Sequence, residues 1–222
     1  MTDETMDSES PRPREGRKAV SRARILEAAR TVFFRDGFMA ANLDEVARRA
    51  GVAKGTLYRY FDSKAELYVG VLAEGGEEFE RHMRETLDPA ISRSDQIRRT
   101  GHFYFDHWMR NREYFQIFWA IENQSVIGEL PEPVLAEITR LWEQCLQILA
   151  DIVAEGVGGG EFAECDPWEV ANIFWTLANG LIQSDGSQAG RALRRRPLPR
   201  AFADGIEILL AGLIVERTGT PP

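Results

Sequence analysis

Lys54, Thr56, Tyr58, Arg59 and Tyr60 fall within seven residues. On a helix, Lys54 and Tyr58 are four apart and share one face, with Arg59 beside them, while Leu57 and Phe61, also four apart, face the other way. An outer face of ammonium, guanidinium and hydroxyl groups can enter a DNA major groove, with its first residues at base edges and its hydroxyls at phosphates. A face of that kind needs an element to hold it. Ala50-Gly51-Val52-Ala53 joins it to a preceding short helix, about Leu43–Ala50, capped by Asn42. Gly51 supplies the backbone freedom of a tight turn, and Val52 plugs the angle between the helices. The pattern also suits an ordinary helical hairpin in a bundle. The glycine turn, the small Gly55 beside Lys54 and the polar-aromatic outer face together favour a helix-turn-helix over Asn42–Phe61.

Charge supports this reading. The 222 residues carry a net −8, unfavourable for nucleic acid if spread evenly. From Arg12 to Phe61, however, twelve Lys/Arg stand against five Asp/Glu, a net of +7, and from Asp62 onward the balance is −11. A basic module on an acidic body fits phosphate binding. Residues 1–17, acidic and then Pro/Arg-rich, read as a disordered tail without a secretory signal. No apolar run reaches bilayer length. Cys145 and Cys165 lack metal or redox spacing and read as reduced structural thiols, a redox switch being the alternative.

The rest is helical by period. A first helix, about Ser21–Asp36, carries Ile25, Ala29, Val32 and Phe33 on one face and stops at Gly37. After a third helix over Lys54–Phe61, Ser63-Lys64-Ala65-Glu66 forms a capping box for a fourth that reaches Glu85, with Gly75-Gly76 expected to bend it. A fifth and a sixth helix follow, about Asp95–Asn111 and Arg112–Val126, then a long seventh, Pro131–Val157. Asp166-Pro167-Trp168-Glu169 opens an eighth. After a polar loop around Arg194-Arg195-Arg196, a ninth covers about Pro199–Arg217. The fold class is therefore all-α, about nine helices.

Residues 21–72 resemble the N-terminal domain of the TetR/AcrR family of transcriptional regulators. The likeness rests on Ile25–Ala29, Phe33, Gly37-Phe38, Val46-Ala47, Ala50-Gly51-Val52, Lys54-Gly55-Thr56-Leu57-Tyr58, Tyr60-Phe61, Ser63-Lys64 and Leu67. It implies a DNA-binding domain over 18–78 and a ligand-binding, dimerising domain over 79–222. It also implies base reading by Ala53, Lys54 and Gly55, and phosphate contacts from Asn42, Thr56, Tyr58, Tyr60 and Lys64. Arg59, at a variable position, would reach either a base or the backbone. Ala41 departs from the family's usual Thr, and Tyr60 from a frequent His.

In the body, Phe103, Trp108, Phe115, Trp119, Trp142 and Trp175 either pack a core or line a mainly apolar cavity, with Asn123 or Gln124 as polar anchors. The resemblance puts the homodimer on the eighth and ninth helices, where Ala171, Ala178, Gly180, Gly205, Ala211 and Gly212 permit close approach; burial within one subunit is the alternative. A twofold dimer would span a pseudo-palindromic operator. His102 and His107, five apart, diverge by about 140° on a helix and do not suit one metal; His102 and Asp106 are spaced to hydrogen-bond. No catalytic motif stands out, and no cofactor, metal or membrane is expected. The expectation is a cytoplasmic, non-enzymatic repressor released from DNA by a small, largely apolar effector. An activator or a non-sensing DNA-binding factor is the alternative, and an enzyme or adaptor on a borrowed fold a remote one.

Overall fold

The structure, a computed structural model, describes residues 13–120 and 132–215. The regular elements among them are ten helices, and the only strand-like feature is one bridge between Phe162 and Ile214.

Helix α1 (Pro13–Ala40) starts earlier than Ser21, so the last five residues of the expected tail are helical; residues 1–12 lie outside the described residues. Proline at a first helical position sacrifices no hydrogen bond, and Arg17, Lys18 and Ala19 favour helix. Regular geometry breaks at Gly37 (φ 74°, ψ 170°), where the sequence places the stop. Helix α2 (Leu43–Ala50) is capped by Asn42, whose Oδ1 accepts from the Asp44 amide at 2.8 Å. Acidic residues in its first turn and Arg48 and Arg49 in its last complement the helix dipole.

Helix α3 (Lys54–Leu57) is shorter than expected. Beyond Leu57 the bonds tighten: the Arg59 amide donates to Thr56 O and the Tyr60 amide to Leu57 O. That 3₁₀-like turn brings Phe61 into the core at 2% exposure just before the next cap. Helix α4 (Lys64–Glu85) starts at a variant capping box: Ser63 Oγ accepts from the Glu66 amide at 3.0 Å, while the Glu66 carboxylate accepts from the amide of Asp62. The helix runs through Gly75-Gly76, where the sequence suggests a bend, as one continuous element. A side chain at Gly75 would collide with Tyr114, so that glycine serves close packing, whereas one at Gly76 would meet Leu141 at an ordinary contact distance of 3.4 Å.

In the body, α5 (Arg93–Arg110) starts two residues earlier than expected because Ser92 caps it. Helix α6 (Arg112–Ala120) follows; the rest of the expected sixth helix and Pro131 lie outside the described residues. Helix α7 (Glu132–Gly158) is the long spine, and α8 (Pro167–Ser184) is capped by Asp166, which accepts from the amides of Trp168 and Glu169. The expected polar loop contains a short helix, α9 (Gln188–Leu193), capped by Ser187. Helix α10 (Leu198–Leu213) stops before Arg217 because the backbone turns to pair elsewhere: the Ala163 amide donates to Leu213 O, and the Val215 amide to Glu161 O.

Two cores result. One gathers Ile25, Leu26, Val32, Phe33, Val46, Leu57 and Leu67 from α1–α4 and extends to Ile138 of α7. The other joins α5, α7, α8 and α10 through Ile97, Phe105, Ile148, Val153, Phe174, Phe202 and Leu210. Asp106 pairs with Arg110 at 3.5 Å rather than with His102.

Candidate nucleic-acid interface and internal cavity

The α2–α3 turn is held from both sides. Gly51 has φ 66°, a conformation that costs a residue with Cβ, and its amide donates to Arg48 O. Arg24 of α1 reaches over the turn and donates to Ala50 O at 2.5 Å, in the space a Gly51 side chain would fill. Leu57 is fully buried, whereas Ala53, Lys54, Gly55, Tyr58 and Arg59 are exposed, with Thr56 and Tyr60 half-buried. Asn42 is exposed beside them, and the neighbouring Ala41 is buried at 6%.

Local partners hold these cations. Lys54 Nζ lies 2.8 Å from Asp44 Oδ1, and that carboxylate's hydrogen bond and charge raise the lysine pKa. Arg59 donates to Thr56 Oγ1 at 3.4 Å. Lys64 donates to Met39 O at 3.0 Å and sits 5.2 Å from the Phe38 ring, where burial lowers its pKa. Glu45 accepts from Arg35 and Arg49, which hold its carboxyl down at about 2. The surface is thus pre-ordered by exchangeable ion pairs, each weak in water.

Behind it lies a cavity of about 600 Å³. Arg30 and Phe34 of α1 and Leu72, Glu74, Gly75, Gly76, Glu78 and Phe79 of α4 form one wall. Tyr104, His107, Trp108, Asn111 and Tyr114 line it from α5 and α6; Ile138, Leu141, Trp142 and Cys145 from α7; and Trp175 from α8. A second, apolar pocket of about 50 Å³ adjoins it and shares Tyr104, Cys145 and Trp175. Burial pushes the Cys145 thiol up to about 12, so it is an uncharged wall group, and Cys165 is also free. The Tyr114 hydroxyl donates to Val71 O of α4 at 2.6 Å, and its ring meets Phe34 edge-on at 4.8 Å.

Of the aromatic candidates from the sequence, Trp108, Trp142 and Trp175 line the cavity. Phe103 stacks on Phe79 at 5.4 Å, and Phe115 packs against Trp108 at 5.5 Å, so both stand behind the wall. The Trp119 side chain, Asn123 and Gln124 lie outside the described residues. Sequence reasoning missed the α1 and α4 wall. Its one signal is the glycine pair in mid-helix, a position that costs about 1 kcal/mol per glycine unless a neighbour needs the room. It also missed Arg24, Asp44 and Tyr114, whose partners are distant in the chain or on another helix.

Among the small residues of the two candidate dimer helices, Ala171 and Ala178 are buried and Gly205 abuts Leu177, all within the subunit. Gly180, Ala211 and Gly212 face outward with Ile173 (52% exposed) and Ile208 (72% exposed).

Residues 25–71 match the family model of bacterial regulatory proteins, tetR family. The HTH-type transcriptional regulator SrpR of Pseudomonas putida is 40% identical over 165 residues, 73% of each chain. The HTH-type transcriptional repressor KstR of Mycolicibacterium smegmatis is 44% identical over 92 residues, 41% of this chain and 40% of that one. The chain spans 60% or less of the length of some curated relatives it matches. Among solved structures, the transcriptional regulator FadR from Bacillus subtilis in complex with stearoyl-CoA superposes with a TM-score of 0.67 at 20% identity, over 86% of this chain and 98% of that one.

Proposed function

Because the chain belongs to the tetR family of bacterial regulatory proteins, we propose that it is a sequence-specific DNA-binding regulator, a homodimeric repressor that a small, largely apolar effector releases from its operator. The observation that carries this reading is a shared wall. Helices α1 and α4 bury Leu26, Phe33 and Leu67 in the core under the recognition turn, and the same two helices present Arg30, Phe34, Leu72 and Gly75 to the cavity. A ligand that moves either helix moves the turn. Two recognition helices in a dimer must match two half-sites about 34–36 Å apart, so a small tilt shifts the population off DNA.

In this reading Ala53, Lys54 and Gly55 read bases. Asn42, Thr56, Tyr58, Tyr60 and Lys64 hold phosphates, with Arg59 on either. The outward stripe of Ile173, Gly180, Ile208, Ala211 and Gly212 on α8 and α10 pairs with its twofold mate. The lining of the cavity, where aromatic and aliphatic side chains predominate, supports an apolar ligand body. The repressor status of KstR supports the direction of control, and the long acyl chain of the stearoyl-CoA bound by FadR supports an apolar ligand body. Acting on chromosomal DNA places the protein in the cytoplasm. Binding and release are its whole task, with no reaction to catalyse.

The test is selection of bound duplexes from a random pool, then anisotropy titration of the selected sequence. Lys54→Ala and Tyr58→Ala should each weaken binding, and the affinity should fall with salt. Undiminished binding by both variants would remove α3 from the interface. Deleting the gene should raise target expression; a fall would make the protein an activator.

A further inference from the structure

The cavity lining is unbalanced in charge. Its formal charges are Arg30, Glu74 and Glu78. Arg30 is already held, its guanidinium 2.5 Å from the Glu27 carboxylate. Glu74 and Glu78, one turn apart on α4, make no ion pair with any described residue within 4 Å. His107 lines the same space with its pKa lowered by burial, and partial burial raises the pKa of the exposed Glu74 against the opposing charges of Arg22 and Arg30. Deeper in, Phe79, Tyr104, Trp108, Tyr114, Trp142 and Trp175 surround the space. Their ring faces attract cations, tryptophan most strongly. A carboxylate or phosphate entering here would meet two like charges against one guanidinium, Arg30, which is shared with Glu27.

We infer that the cavity takes an organic cation, a molecule whose apolar body packs among the tryptophans while its positive charge sits against Glu74 and Glu78. This rests on the cavity being the effector site and adds the sign of the effector's charge. It also gives the two exposed carboxylates on the cavity side of α4 a role: a cation drawn to them would pull on a helix that packs under the recognition turn.

The test titrates the full chain with tetraphenylphosphonium and with tetraphenylborate, a probe pair of the same shape and opposite charge, and with palmitate. Emission from Trp108, Trp142 and Trp175 reports entry. Tetraphenylphosphonium should bind at least about tenfold more tightly than tetraphenylborate. The double variant E74Q/E78Q, conservative and solvent-facing, should bring the two probes together while leaving thermal stability unchanged. Tighter binding of tetraphenylborate or palmitate to the native chain overturns the inference yet keeps the cavity as a ligand site. So does a preference for the cation that survives in E74Q/E78Q. Tryptophan emission unmoved by all three probes overturns both the inference and the assignment of the cavity.

Discussion

The unit built from α1–α4 is dry and the body behind it is hollow. Ile25, Leu26, Val32, Phe33, Val46, Leu57 and Leu67 are completely buried around the recognition turn. In the body, rings of comparable size stand around a 600 Å³ space, with Trp142 and Trp175 only half-buried. Close-packed side chains hold a position to a fraction of an ångström, because any gap forfeits contact energy. A wall that faces a void has already lost those contacts and yields at low cost. One part of the chain is built to keep its shape and another to change it, and α1 and α4 belong to both.

The largest expected difference between them is in core truncation. Leu57→Ala should cost about 4 kcal/mol, because nothing around it can collapse. Leu141→Ala, on the cavity wall, should cost about 2 kcal/mol, since one side of that leucine has no packing to lose. Urea unfolding of the two variants measures both, and equal costs would erase the contrast. Next come the glycines. Gly51→Val forces a branched residue to φ 66° and expels Arg24 from its bond to Ala50 O, an expected loss of about 2 kcal/mol. Gly76→Ala, on the hollow side in regular helix, should raise stability by about 0.5 kcal/mol. Thermal melts decide; destabilisation at Gly76 would show that the cavity wall is as tight as the turn.

The same contrast explains what could be read from the chain. The dry unit obeys local rules. Asn42 caps, Gly51 turns, Leu57 and Phe61 point inward, and each requirement is met within a few residues, so the sequence displays it. Even there, the 3₁₀ turn after Leu57 was hidden, because it comes from fitting Phe61 into a core made by other helices. The cavity has no local rule. Trp108, Trp142 and Trp175 read from the sequence as core or cavity residues alike, and only the way the helices meet makes them a wall. Phe103 and Phe115, equal candidates by composition, ended up behind that wall. Likewise nothing in the α10 pattern foretells its early end, which depends on backbone pairing with residues 161–163.

A smaller effect concerns the interface itself. If Lys54 reads bases, Lys54→Ala should weaken operator binding by about 1 kcal/mol, less than an uncommitted contact, because the lysine gives up Asp44 to bind. Asp44→Asn should therefore tighten binding several-fold at low salt. Weaker binding by Asp44→Asn would mean that the pair positions the lysine for DNA instead of competing with it.

The smallest effect separates the two regions by pH. Burial keeps the His107 pKa below its ordinary 6.5, with His82 and Arg110 pushing the same way and Glu78 against them. In the unfolded chain this imidazole takes a proton near 6.5, so below that pH the unfolded state binds more protons and stability falls as the solution is acidified. Glu45, in the dry unit, is held at about 2 by Arg35 and Arg49, against an ordinary 4.5. Its contribution is complete above 4.5 and is lost only as pH drops from there toward 2. The hollow body should soften first, as pH falls below 6.5, and the turn-bearing unit later, below 4.5. Melting temperatures from pH 7 to 3 for the native chain, His107→Gln and Glu45→Gln test the order. His107→Gln should flatten the upper part of the curve and Glu45→Gln the lower. A flat native curve above pH 4.5 would mean that folded His107 takes a proton as readily as the unfolded chain does, because the void beside it is wet enough to solvate the imidazolium.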